Sequence, residues 1–178
     1  MQTKTPILAL ALVVTLAGCG GSSDTRFAPA CPRVGILSDA ADLIRYRPGR
    51  GRDLTDQVFE ARVVGVAGAC TYGDTNKDQK TTVTVSFDVF RGPAASPSRE
   101  EEVTVFVAVS NGERILDKKV YPIRVKFPAD LGRVRAASPE ITLVLPISAE
   151  LSGAAYSVTA GLQLTPDELA ANRARGAR

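Results

Sequence analysis

From residue 57 onward the apolar residues recur at every second position, and that rhythm most restricts the fold. A period of two gives a pleated strand one apolar face, whereas a helix needs 3.6. Residues 81–91 show it best. Val83, Val85, Phe87 and Val89 share one face and Thr82, Thr84, Ser86 and Asp88 the other, with Phe90 out of step. Similar runs lie at 58–69, 103–109, 141–147 and 156–164, and at 120–127, which Pro128 closes. The glycines of the first run suggest a bulge. Asn111-Gly112 is a hairpin signal, since both central residues of such a turn take φ > 0, and a return strand is expected from Glu113 to Asp117. About seven short strands separated by turns predict an all-β chain. The expected architecture is an immunoglobulin-like antiparallel β-sandwich rather than a barrel, with a short C-terminal helix.

Three local signals refine this. Residues 152–158, ending in Tyr156-Ser157-Val158, resemble the tyrosine-corner approach of immunoglobulin and fibronectin type III domains, where the Tyr hydroxyl bonds to backbone upstream. Residues 37–44 suggest one helical turn capped by Ser38 or Asp39, followed by a Pro/Gly/Arg loop over 45–52. Near the end, Thr165 is an N-cap, Pro166 fits N1 and Glu168 completes a capping box, which predicts a helix of about two turns. Arg173 and Arg175 then suit its negative end.

The N-terminus has a different character. Lys4 precedes an apolar run over 7–16, too short to span a bilayer, which needs about 20 residues. The run ends in Leu16-Ala17-Gly18-Cys19. This order of charge, apolar run and box resembles the bacterial lipoprotein signal. The resemblance implies cleavage before Cys19, acylation of that residue (palmitate among its chains) and, with Gly20 rather than Asp following, an outer-membrane destination. Several acyl chains hold where one is marginal. The expected organisation is a signal peptide over 1–18, a lipidated Cys and flexible tether over 19–30, a β-sandwich domain over 31–164, and a short helix with a basic tail over 165–178.

With Cys19 assigned to lipid, Cys31 and Cys70 remain, and export places them in an oxidising compartment. Two leftover cysteines in a small exported domain predict one disulfide, contributing about 4 kcal/mol through loop closure. A redox pair would favour C-x-x-C spacing, which these two lack.

The chain of 178 residues holds no His, which removes Ser-His-Asp and Cys-His catalysis and His-ligated metals. A net charge of +3 gives no reason to expect a nucleic-acid partner. Asp74-Thr75-Asn76-Lys77-Asp78 has the opening spacing of an EF-hand loop. Gln79 stands where its Gly belongs and Val85 where its Glu belongs, so a polar turn is expected. Arg99 and Glu100 to Glu102 read as a solubilising start to a strand; adjacent carboxylates in a strand point to opposite faces and cannot converge on a substrate. Arg45, Arg47, Arg50 and Arg52, with Tyr46 among them, form a candidate contact for lipid phosphate or an acidic partner; the alternative is a solvated loop paired to Asp53 and Asp56. The short tether makes a membrane-facing position a natural one for this loop. Arg173, Arg175 and Arg178 form a lesser basic group. No catalytic, metal-binding or cofactor residue is assigned.

Four stretches, at 31–37, 51–56, 106–109 and 161–169, resemble a family of small alphaproteobacterial lipoproteins of uncharacterised function. The resemblance covers nearly the whole mature chain. It implies an envelope location and a compact β domain and brings no catalytic residues. The expected function is that of a non-catalytic outer-membrane lipoprotein facing the periplasm, acting as a binding or assembly module. Its partners would be the membrane, through the N-terminal lipid, and an envelope protein. A periplasmic hydrolase or small-ligand carrier is the alternative.

Overall fold

The computed structural model describes residues 29–49, 51–75 and 77–176. Nine strands and one helix follow in order: β1 (Arg33–Ile36), β2 (Asp42–Tyr46), β3 (Gln57–Tyr72), β4 (Asp78–Arg91), β5 (Glu100–Asn111), β6 (Arg114–Lys126), β7 (Arg133–Ala137), β8 (Ile141–Pro146), β9 (Tyr156–Leu162) and α1 (Pro166–Arg175). One sheet has the order β1-β9-β5-β6. The other has the order β2-β3-β4-β7, with β8 pairing β4 beyond β7. Every pairing is antiparallel except β1 with β9. The chain is a β-sandwich, as the alternation predicts.

The alternating residues build the core. Val83, Val85, Phe87 and Val89 of β4 face Val103, Val105, Val107 and Val109 of β5, all almost without exposure. Each such side chain contributes about 1.5–3 kcal/mol through removal from water. Phe90 falls outside this stripe and lies under the Arg133 guanidinium, 4.8 Å from the ring centre.

Four local expectations are corrected. The runs at 113–117 and 120–127 are a single strand, β6, paired to β5 over its whole length. The hairpin turn is Gly112-Glu113, because Asn111 still pairs with Arg114; only Gly112 has positive φ (57°), so one left-handed residue suffices where two were expected. Residues 38–40 make a 3-10 turn that starts after Leu37 with no side-chain cap, and Leu43 and Ile44 belong to β2 rather than to a helix. Short strands β1, β2 and β7 appear where no alternation announced them; with the two expected strands merged into β6, the expected seven become nine.

Other signals hold. Tyr156 donates its hydroxyl to backbone upstream, the Pro146 carbonyl at 2.7 Å, ten residues back at the end of β8 rather than within the corner itself. Thr165 and Glu168 form the capping box, and α1 runs for 10 residues. The register of β3 shifts between Val63 and Gly65, the bulge its glycines suggested. Arg99 is more than a solubilising residue. Its φ is 54°, and its guanidinium donates to the carbonyls of Phe127, Pro128 and Leu131, tying the β6–β7 connection to the start of β5.

Candidate binding groove

The disulfide joins Cys31 to Cys70, as the cysteine arithmetic predicts, and fastens the incoming chain to the far end of β3. Inward-facing Gln79 supports it from β4. Its amide donates to Cys70 Sγ at 3.0 Å and to the Ala30 carbonyl at 3.3 Å. Cys19 lies outside the described residues.

The arginine segment sits at the other pole. Tyr46 pairs with Gln57 at the start of β3, and Cys70 is thirteen positions further along that strand. At about 3.3 Å per residue the two ends are roughly 43 Å apart. The stretch from Cys19 to Ala30 extends at most about 40 Å. The arginine loop is therefore remote from the point where the chain joins the domain, by about the reach of the extended stretch itself.

The structure separates the three described arginines, Arg45, Arg47 and Arg52. Arg45 is committed: its Nε lies 3.4 Å from Glu168 Oε1 of α1, and its guanidinium sits 5.5 Å from the Phe59 ring centre. Arg47 and Arg52 are exposed and form no ion pair among the described residues. The pairing to Asp53 and Asp56 expected for a solvated loop is absent among the described residues. Asp53 instead accepts from the Thr55 N–H at 3.0 Å, and Asp56 offers its main-chain carbonyl to the Arg47 N–H at 3.0 Å. Arg50 lies outside the described residues, as does Arg178.

These residues form one wall of an open groove of about 900 Å³, and α1 forms the other. The floor is the end of β2, with Ile44 and Tyr46; Arg175 and Asp167 stand on the helix side. None of the helix residues is buried, so polar contacts hold α1 in place. Besides the Glu168 pair, Asn172 Nδ2 donates to the carbonyls of Asp42 and Asp39 at 2.7 and 2.9 Å, and Arg173 pairs with Asp39 at 2.9 Å. Arg175 donates to Asn172 Oδ1, the side-chain amide oxygen. Beside the groove, Arg62 bridges Asp42 at 2.6 Å and Glu60 at 3.5 Å, and these carboxylates hold its guanidinium pKa above the usual value.

The remaining candidates have structural roles. Asp74 and Thr75 lie in the turn between β3 and β4, and Asp78 opens β4; Asp74 pairs with Lys80 at 3.2 Å, and Asn76 lies outside the described residues. Glu100 and Glu102 face Lys126 and Arg124 across the β5–β6 ladder, while Glu101 accepts from the Ser96 N–H at 3.4 Å. An apolar hollow of about 310 Å³ opens between β6 and β8, with Leu116 and Val144 at its rim.

Sequence reasoning missed Asn172 and the edge of β2. Asn172 is an unremarked polar residue in a short helix. In β2 only Leu43 is buried, so no alternation could signal a strand. Comparison with protein-family models, curated proteins and solved structures finds no match.

Proposed function

We propose that this chain is a lipid-anchored envelope protein, non-catalytic, whose β-sandwich serves as a binding or assembly module. The observation that carries the reading is the sequence before Cys19: a cation, a ten-residue apolar run, then Leu-Ala-Gly-Cys. The Cys31–Cys70 disulfide supports an oxidising compartment, since such bonds persist outside the cytosol. Gly20 after the lipidated residue favours the outer membrane, with the domain in the periplasm. The family resemblance points the same way. The arginine groove, with two uncommitted guanidiniums, is the surface offered to an envelope partner.

The anchor is tested by growing cells with an alkyne analogue of palmitate. The wild-type protein should take up the label and fractionate with outer membranes, and Cys19→Ser should lose both properties. A wild-type protein that stays unlabelled overturns the anchor. The binding role is tested by crosslinking in cells and purification from native membranes. A reproducible, near-stoichiometric partner is expected, and Arg47→Glu with Arg52→Glu should release it. Retention of that partner by the double variant excludes the groove as the contact.

A further inference from the structure

The edge of β2 has hydrogen-bonding capacity that the sandwich does not use. The Val63 N–H donates to the Ala41 carbonyl at 2.8 Å, which makes Ala41 and Val63 a hydrogen-bonded pair. Along an antiparallel ladder such pairs alternate with pairs that make no bond to each other. Leu43–Ala61 and Arg45–Phe59 are therefore bonded pairs, while Asp42–Arg62 and Ile44–Glu60 are not. The main-chain groups of Asp42 and Ile44 point away from β3, toward the outer edge.

Asp42 bears this out, because its outward carbonyl receives the Asn172 amide. The helix thus supplies one bond that a neighbouring strand would make. At Ile44, two residues further along, the outward N–H and C=O have no such partner among the described residues. They open into the groove, with Arg47 and Arg52 beyond them and Arg175 opposite.

We infer that this groove accepts an acidic, extended peptide segment of a partner protein, which adds as a strand to the edge of β2 between that strand and α1. The inference rests on the proposed binding role and names the class of partner. Three observations select that class. An exposed edge offers a donor and an acceptor at strand spacing, which a peptide main chain matches and a phosphate group does not. An extended peptide puts every second side chain on one side, so alternate acidic residues can meet the arginines together. Charge also fits, since Arg47, Arg52 and Arg175 outnumber Asp167 once Glu168 is committed to Arg45.

The experiment uses the full chain in detergent and a fluorescent decapeptide of alternating Glu and Thr. The peptide should bind. Methylating its alternate main-chain nitrogens should weaken binding by at least about tenfold, as should Arg47→Glu with Arg52→Glu. Hydrogen exchange of the Ile44 amide should slow on binding by a similar factor, about tenfold, a readout that needs no variant. A peptide that fails to bind overturns the proposal. So does equal binding of the methylated peptide, or binding confined to phosphatidylglycerol vesicles or inorganic polyphosphate. The palmitate label at Cys19 reports separately on the anchor. Label without peptide binding removes the groove assignment alone; peptide binding without label supports the groove and removes the anchor.

Discussion

The Asn172 amide donates to the Asp42 carbonyl at 2.7 Å, so a side chain of the last helix completes the outer edge of the second strand. No residue of α1 is buried, and its docking depends on this bond, the Asp39 contacts and the Glu168 pair with Arg45. Asn172→Ala should therefore free the helix without unfolding the sandwich. Amide exchange within 166–175 should accelerate by at least about tenfold, while global stability falls by less than about 1 kcal/mol. A large loss of melting temperature would contradict this division.

Asp88 shows the opposite economy, a buried carboxylate on the outer side of β4. Arg135 binds it at 2.7 Å through Nε and 3.0 Å through a terminal nitrogen, and Arg133 binds it at 2.6 Å. The Arg135 hydrogen bonds, and then those of Arg133, outweigh burial and lower its pKa to about 2. A carboxyl whose pKa is lowered in the folded state binds protons more readily when unfolded. Its contribution is complete above the unfolded value, near 4, and is lost as pH falls through about 2. Asp88→Asn should destabilise the protein at neutral pH by about 2 kcal/mol and flatten the decline of stability between pH 4 and about 2. Urea unfolding at several pH values measures both effects. An unchanged acid slope would mean that other groups carry it.

Tyr156 closes the corner that leads into β9. The ring is buried and the hydroxyl has one acceptor, the Pro146 carbonyl. Tyr156→Phe keeps the packing and leaves that carbonyl without its donor, at a cost of about 1–2 kcal/mol. Denaturant midpoints of the two proteins test it. Equal midpoints would show that water replaces the hydroxyl at no cost.

What the sequence made legible follows from physical range. The long central strands β4 and β5 were readable because alternate valines point into the core. The cysteine pair and the capping box were readable because each needs only a few residues of fixed type. β2 was not: Leu43 is its only buried side chain, and Arg45 shares that face by lying over Phe59 and reaching Glu168. A contact 123 residues away leaves no mark on local periodicity. β7 is short and lies against only part of β4, and its arginines serve Asp88 rather than a core. The arginine run was legible as a cluster of charge. Its division into a committed Arg45 and open Arg47 and Arg52 depends on where α1 folds back.

Gly161 in β9 marks a place where the outer side of a sheet is closely covered. It pairs with Phe106, and a Cβ built on it would lie 2.9 Å from the Phe106 ring, 3.0 Å from Ala40 Cβ and 3.1 Å from the Ala40 carbonyl oxygen. The neighbours include backbone of the 3-10 turn before β2, so rotation of one side chain cannot make the room. Gly161→Ala should destabilise by about 1–3 kcal/mol despite the lower chain entropy of alanine. Because that turn also holds Asp39, which pairs with Arg173 of α1, the strain should reach the helix, and exchange within 166–175 should rise as well. Phe106→Leu in the same chain removes the nearest ring atom and should recover part of the loss. A double-mutant cycle by urea unfolding measures the coupling. Strict additivity would place the clash at Ala40 alone.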